Sequence, residues 1–217
     1  MNENDLGTAI VRGACNPEAK SVAVDFSEIA LDSLLEEGIL KEIPVLKSII
    51  ACRKTWQAIH DQLFLRKVAG FVLACPRFTE AEKNRFLGED LGDPKATKQL
   101  GDALVLILDK LDDLEKAPMV KKVFAAYVRG HIGYSDFRRL GAGIGSAFVG
   151  DLQTICVQPP APEINNSQVW VFLEPSGFAV SSTRNAPRIL SSSGTRIQIR
   201  SKVSSLGKLF QKCMLEE

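Results

Sequence analysis

Apolar residues recur at helical spacing along most of the chain up to position 158, and beyond that the pattern changes. Residues 1–24 carry Gly7, Gly13 and Pro17 with little periodicity and read as a flexible lead-in. From there Asp25 or Ser27 can cap a helix bearing Ile29, Leu31, Leu34 and Leu35, with Gly38 as its stop. Pro44 suits a first helical turn. Ile49, Cys52, Trp56, Ile59 and Leu63 then follow at alternating spacings of three and four, one apolar stripe along a helix. The stripe continues through Val68, Phe71 and Val72 to Pro76, and Asp61 can cap a second helix within it. Core packing is the reading of this stripe, with a partner-binding seam as the functional alternative.

Thr79-Glu80-Ala81-Glu82 is a capping box, in which hydroxyl and carboxylate satisfy reciprocal backbone donors, and it opens a short helix through Phe86 and Leu87. After the turn at Gly92-Asp93-Pro94 comes the most regular helix, with Leu100, Ala103, Leu104, Ile107, Leu111 and Leu114 on one face. Another helix is predicted from Ala117 to Arg129, ended by Gly130–Gly133. Ser135 is then placed as the cap of a last long helix carrying Phe137, Leu140, Ile144, Phe148 and Leu152.

Pro159-Pro160-Ala161-Pro162 cannot continue a helix and favours an extended spacer over 159–166. Past it, Gln168–Leu173 and Phe178–Ser182 read as short strands around the Pro175-Ser176-Gly177 turn. Arg196-Ile197-Gln198-Ile199-Arg200 alternates as a half-buried strand should. Val203, Leu206, Leu209, Phe210 and Cys213 form the stripe of a terminal amphipathic helix. The predicted fold is therefore mainly α: a multi-helix body over 25–158 and a small C-terminal α+β module over 167–217, for which a winged-helix arrangement is one candidate.

Composition adds a charge boundary to this picture. The chain of 217 residues has a formal net charge of only +1, yet residues 175–215 hold seven basic side chains and no acidic one. They are Arg184, Arg188, Arg196, Arg200, Lys202, Lys208 and Lys212. A segregated positive surface points to an anionic partner, nucleic acid among them. Phe210 is the aromatic interleaved with these basic residues, so base stacking has little support. The competing explanation is internal: residues 25–42 hold six acids against Lys41, and residues 79–116 hold ten acids against six bases. The basic module can then dock onto its own acidic body.

Chemistry-bearing motifs are sparse. Five cysteines (Cys15, Cys52, Cys75, Cys156 and Cys213) form no C-x-x-C pair, which fits buried thiols in a reducing cytosol better than a disulfide framework. No run approaches the ~18 apolar residues of a membrane span, so a soluble cytoplasmic protein is expected. Asp109, Asp112 and Asp113 share a helical face and suit a hard cation in type, but Lys110 and Lys116 lie beside them and a solvated face explains them. His60 and His131 are the two histidines, and no nucleophile motif accompanies either. Gly141, Gly143 and Gly145 lack the Lys-Ser/Thr of a phosphate loop and read as a small-residue face for close helix approach. No catalytic, cofactor or metal residue is assigned, which weighs against an enzyme. A hydrolase or nuclease would need clustered carboxylates and histidine.

The segments Ile43-Pro44-Val45 and Ile59-His60-Asp61-Gln62-Leu63-Phe64-Leu65-Arg66-Lys67, with Glu115-Lys116-Ala117 and Asp136-Phe137 downstream, resemble a pattern in uncharacterised, mainly helical bacterial proteins over about residues 40–150. The resemblance implies a helical body and carries no activity. It also implies a third possible role, as an accessory factor of a mobile-element or phage-defence system. The leading expectation is a non-catalytic bacterial regulatory or interaction protein. Its body would serve self-association or a protein partner, and its basic module an anionic partner. The alternative is a DNA-binding regulator with a C-terminal winged helix.

Overall fold

The computed structural model describes residues 3–15, 59–74, 78–90, 92–157, 171–185 and 197–215. Among them the fold is mainly helical, with one small antiparallel hairpin near the C-terminal end. The helices are α1 (Glu3–Cys15), α2 (Ile59–Leu73), α3 (Glu80–Arg85), α4 (Pro94–Asp109), α5 (Lys116–Val128), α6 (Tyr134–Ser146) and α7 (Val149–Val157), with a π turn at Phe86–Asp90 after α3. Strands β1 (Ala179–Asn185) and β2 (Ile197–Val203) lead into α8 (Ser205–Leu215). No helix among the described residues is long and apolar enough to cross a membrane.

The α5 helix is the axis of the body. It packs against α2, α6 and α8 and is buried on nearly all sides, from Ala117 through Val120, Val123, Phe124 and Ala125 to Val128. A helix apolar all round belongs at the centre of a bundle. Phe124 sits at its middle with no exposed surface, and four rings meet it edge-on: Phe71 at 5.5 Å, Phe86 at 6.0 Å, Phe137 at 6.1 Å and Phe78 at 6.2 Å between centroids. Edge-to-face pairing sets the positive ring edge against the negative ring face, which fixes orientation as well as burying area.

The predicted capping box forms, whereas the cap expected at Ser135 does not, because Gly133 precedes that helix with no side-chain bond. Thr79 Oγ1 accepts from Glu82 N at 3.2 Å, and Thr79 N donates to Glu82 Oε2 at 2.7 Å. Asp93 Oδ1 accepts from Lys95 N at 2.9 Å, with Pro94 in the first turn of α4. On α4, Leu100, Ala103, Leu104 and Ile107 are buried as the stripe requires.

A second rule of assembly was invisible in the sequence: side chains of one helix close the carbonyl ends of another. Lys121 Nζ donates to the Ala14 carbonyl at the end of α1 (2.5 Å), and Lys67 Nζ to the Asp109 carbonyl at the end of α4 (3.0 Å). Arg85 Nη2 reaches the Val128 carbonyl of α5 (2.9 Å), Lys122 Nζ the Met214 carbonyl of α8 (2.8 Å), and Gln211 Nε2 the Ile155 carbonyl of α7 (2.7 Å). The last carbonyls of a helix have no partner inside it and carry the negative end of the helix dipole, so a lateral cation satisfies both needs at once.

Several elements differ from expectation. Residues 3–15, read as flexible, form α1, with Ile10 and Val11 fully buried against α4. Its two glycines masked a helical stripe of Leu6, Ile10, Val11 and Ala14. The α4 stripe outlasts its helix, which ends at Asp109. Leu111 and Leu114 stay buried from a turn in which Asp113 Oδ1 accepts from Glu115 N at 2.8 Å, a local bond that competes with the helix. The single helix expected from Ser135 to Leu152 starts at Tyr134 and is broken by extended Ala147 into α6 and α7. Val171 and Phe172 are helical and Leu173 begins a turn, so this part of the expected strand is not one and the sheet has two strands among the described residues. The predicted helix over 25–38, the stripe from Ile49 to Trp56 and the spacer over 159–166 lie outside the described residues.

Candidate anion-binding face

The hairpin register is Ala179 opposite Val203, Val180 opposite Lys202, Ser182 opposite Arg200 and Arg184 opposite Gln198. Alternation then separates two faces. Ala179 and Val203, opposite each other, are buried on the inward face. Val180 and Lys202, the next pair, are exposed on the outward one.

Ser204 turns the chain from β2 into α8. Its Oγ accepts from Gly207 N at 2.9 Å, as an N-cap should, and donates to the Gly177 carbonyl at 2.5 Å. Gly177 has φ +81°, which favours glycine there. At Gly207 the helix runs so close to the hairpin that an added Cβ would lie 2.7 Å from Val203 Cγ1. Phe178 and Phe210 stack at 4.8 Å between centroids and are fully buried. Cys213 and Met214 extend the same face toward the body.

Hairpin, turn and α8 therefore do not form a core of their own. Phe178, Phe210, Cys213 and Met214 belong to the same continuous cluster as Ile10 and Phe124. The contacts seating α8 are apolar ones to α5, α6 and α7, joined by the Gln211–Ile155 and Lys122–Met214 bonds. In the second of these the body supplies the cation and α8 the carbonyl. Lys208 and Lys212, one turn apart, face outward and are exposed.

Of the seven basic residues singled out by sequence, Lys202, Lys208 and Lys212 are exposed, and Arg184 and Arg200 stand in the hairpin register opposite Gln198 and Ser182. Arg188 and Arg196 lie outside the described residues. Phe210 is removed from any role in stacking by its burial.

The other candidates are accounted for by the fold. Asp112 is the partner of the fully buried Lys116, and Asp113 is spent on its local turn. Among the described residues no three His, Cys, Asp or Glu side chains converge to hold a metal ion. His131 is exposed at the end of α5, where its backbone amide donates to the Ala126 carbonyl. Burial pushes the Cys15 thiol up to about 11 against the pull of Lys121 and Lys83. It pushes Cys156 up to about 11 against Lys122. Neither is an activated nucleophile. Burial likewise lowers the Lys67 ammonium from its ordinary value, opposed by Asp109 and Asp112.

The glycine stretch of α6 divides. A Cβ on Gly141 would meet Ile107 Cδ1 of α4 at 2.5 Å, and one on Gly143 would meet Phe178 Cζ at 2.7 Å and the Ser176 carbonyl oxygen at 2.8 Å. Gly145 faces open space. Two of the three thus permit close approach, as expected. Beside them Arg138 and Arg139 are exposed.

What sequence reasoning missed was the burial of Lys116 and Lys121 in α5. The available signal was their position: both fall on the apolar stripe of a helix, where a surface lysine does not belong. Compared with protein-family models, with curated proteins and with solved structures, the chain matches none.

Proposed function

We propose that this is a non-catalytic interaction protein that receives an anionic partner on the outer face of its C-terminal hairpin and helix. One observation carries the reading. Lys202, Lys208 and Lys212 are exposed on elements whose opposite faces are buried, which puts positive charge at the surface. The helical body supplies a second contact, to a protein partner or another copy of the chain. Leu106 at 55% and Phe148 at 69% exposure support that half, because large apolar side chains held in water favour association.

Retention on a heparin column tests the basic face. A chain of formal net charge +1 with evenly spread charge would elute at low salt. The intact protein is expected to elute late, and the Lys202→Gln/Lys208→Gln/Lys212→Gln variant early. Identical elution of the two would sink the reading. Sedimentation over a range of concentrations tests the body, with Phe148→Ser expected to reduce association. A monomer at every concentration removes self-association from it.

A further inference from the structure

The partner of the C-terminal hairpin can be narrowed, on the assumption that the basic-face reading above holds. We infer that the outward side of the hairpin, with the helical turn before it, lies on an anionic lipid surface, where Val171, Phe172 and Val180 enter the headgroup layer.

Three observations lead there. First, the outward side is apolar as well as charged. Val180, 40% exposed, stands directly opposite the exposed Lys202. Such a pair sets its Cβ atoms about 4.5–5.5 Å apart. Just before β1, Val171 is 49% and Phe172 65% exposed. Hydrogen bonds tie that turn to the start of the strand. The Leu173 carbonyl accepts from the Phe178 and Ala179 amides at 3.2 and 3.3 Å, and Glu174 Oε1 accepts from Ser181 N at 3.3 Å. Leu173, Phe178 and Ala179 are buried, so the exposed side chains stand on a fixed support.

Second, the charge around them suits acidic headgroups. Residues 171–217 hold seven basic side chains against Glu174, Glu216 and Glu217, a net of +4. Attraction to a charged bilayer reaches about 8–10 Å, so it follows this net charge and needs no particular side-chain placement. Third, the combination selects among anions. The phosphates of a nucleic acid gain nothing from a valine set beside a lysine. Three side chains exposed to this degree offer apolar area on the order of 300 Å², against about 800 Å² per partner in a standard protein interface. A bilayer takes both features at once. A lysine stem lies in the apolar layer while its ammonium stays among the headgroups, and interfacial binding grows with buried apolar area and with attraction to anionic lipid.

Co-sedimentation of the full chain with vesicles tests this. Vesicles of phosphatidylcholine alone are compared with vesicles of phosphatidylcholine mixed with phosphatidylglycerol. The mixed vesicles are expected to bind the protein, and rising salt to weaken that binding without abolishing it. Phe172→Ser should lower the partition coefficient about tenfold or more. Lys202→Gln should lower it about fivefold. Val180→Thr, nearly isosteric on an exposed strand position, should act in the same direction as Phe172→Ser. Circular dichroism melting confirms that the variants fold.

Late elution from heparin without binding to mixed vesicles would overturn the lipid inference and leave the basic-face reading standing. Vesicle binding that Phe172→Ser and Val180→Thr both leave unchanged would overturn it as well. So would displacement from mixed vesicles by a DNA duplex at equal phosphate concentration, which would assign the face to nucleic acid. Early elution from heparin together with no vesicle binding would overturn both readings.

Discussion

The crossing of α1 and α4 yields the sharpest stability prediction, because the same chemical change should have opposite signs at two glycines. At Gly101 of α4 a Cβ would lie 2.5 Å from the Gly7 carbonyl carbon, 2.8 Å from Thr8 N and 2.9 Å from Gly7 Cα. All three are backbone atoms of a helix, so none can rotate away. Carbon atoms sit comfortably at about 3.5–4.0 Å, which requires the two helices to part by about 1 Å in Gly101→Ala. A gap of that size forfeits a quarter to a half of the dispersion attraction across the seam that Ile10, Val11, Leu100 and Leu104 fill. Overpacking typically costs about 1–3 kcal/mol, and rigid backbone places this site at the upper end. Helix propensity returns only about 0.8–1.0 kcal/mol for replacing glycine with alanine. The net expectation is destabilisation by about 2 kcal/mol. For a chain of this length that is a melting temperature lower by about 4–8 °C. Gly145→Ala in α6 has the same propensity gain and nothing within 4 Å to strike, so it should stabilise by up to about 1 kcal/mol. Thermal melts of the two variants beside the parent decide the matter. A Gly101→Ala protein that melts at or above the parent would show that α1 does not cross α4 at these glycines.

Three further tests address charge. Lys121→Met keeps the side-chain volume but removes the bond to Ala14 and the ammonium lying 4.9–5.7 Å from the Phe78, Phe71 and Phe124 ring centres. Those losses should outweigh the relief of no longer burying a charge, for a net cost of about 2 kcal/mol by denaturant titration, and unchanged stability would refute the cage. Glu82 is pulled up by burial, but the Thr79 amide and hydroxyl and the Arg129 guanidinium together hold it below its ordinary value. Its contribution is present above the unfolded glutamate value and lost as pH falls through the folded one, so Glu82→Gln should flatten the acid limb of a stability-against-pH curve below about pH 4.3. Cys15, raised to about 11, acts at the other end. The unfolded chain ionises first, so stability falls as pH climbs from about 9 toward 11, and Cys15→Ala should lessen that fall.

Local rules were legible in the sequence, and meetings between distant residues were not. Thr79–Glu82 announces its cap because it is settled within four residues. The alternation from Arg196 to Arg200 declares a strand because alternation is a local property. In contrast, α1 was lost because Gly7 reads as a propensity cost until Gly101, far along the chain, is found against it. The stripe through Leu114 predicted burial correctly and the end of the helix wrongly, since Leu111 and Leu114 reach the core from a turn. Periodicity reports which residues are buried, and only hydrogen bonding reports where a helix stops. The basic face was half legible: its charge was plain, while the burial of Phe210 and the outward placement of Lys208 and Lys212 needed the helix to be seated.

How the chain spends its cations supports the same functional reading. Lys67, Arg85, Lys121 and Lys122 each end on the carbonyl terminus of another helix, and Lys116 and Arg129 on carboxylates of the body. These are interior obligations: a helix end closed inside a bundle needs a donor that water cannot supply. The end of α8 is closed in the same way, by Lys122 of α5. A fold that finishes α8 with a cation imported from α5 sets that structural charge apart from the exposed Lys208. Lys122→Met provides a check on this division. It should lower the stability of the α8 end, seen as faster amide exchange over 205–215, while leaving the salt dependence of polyanion binding intact. Loss of that salt dependence in Lys122→Met would mean that the two sets of charges are not separate.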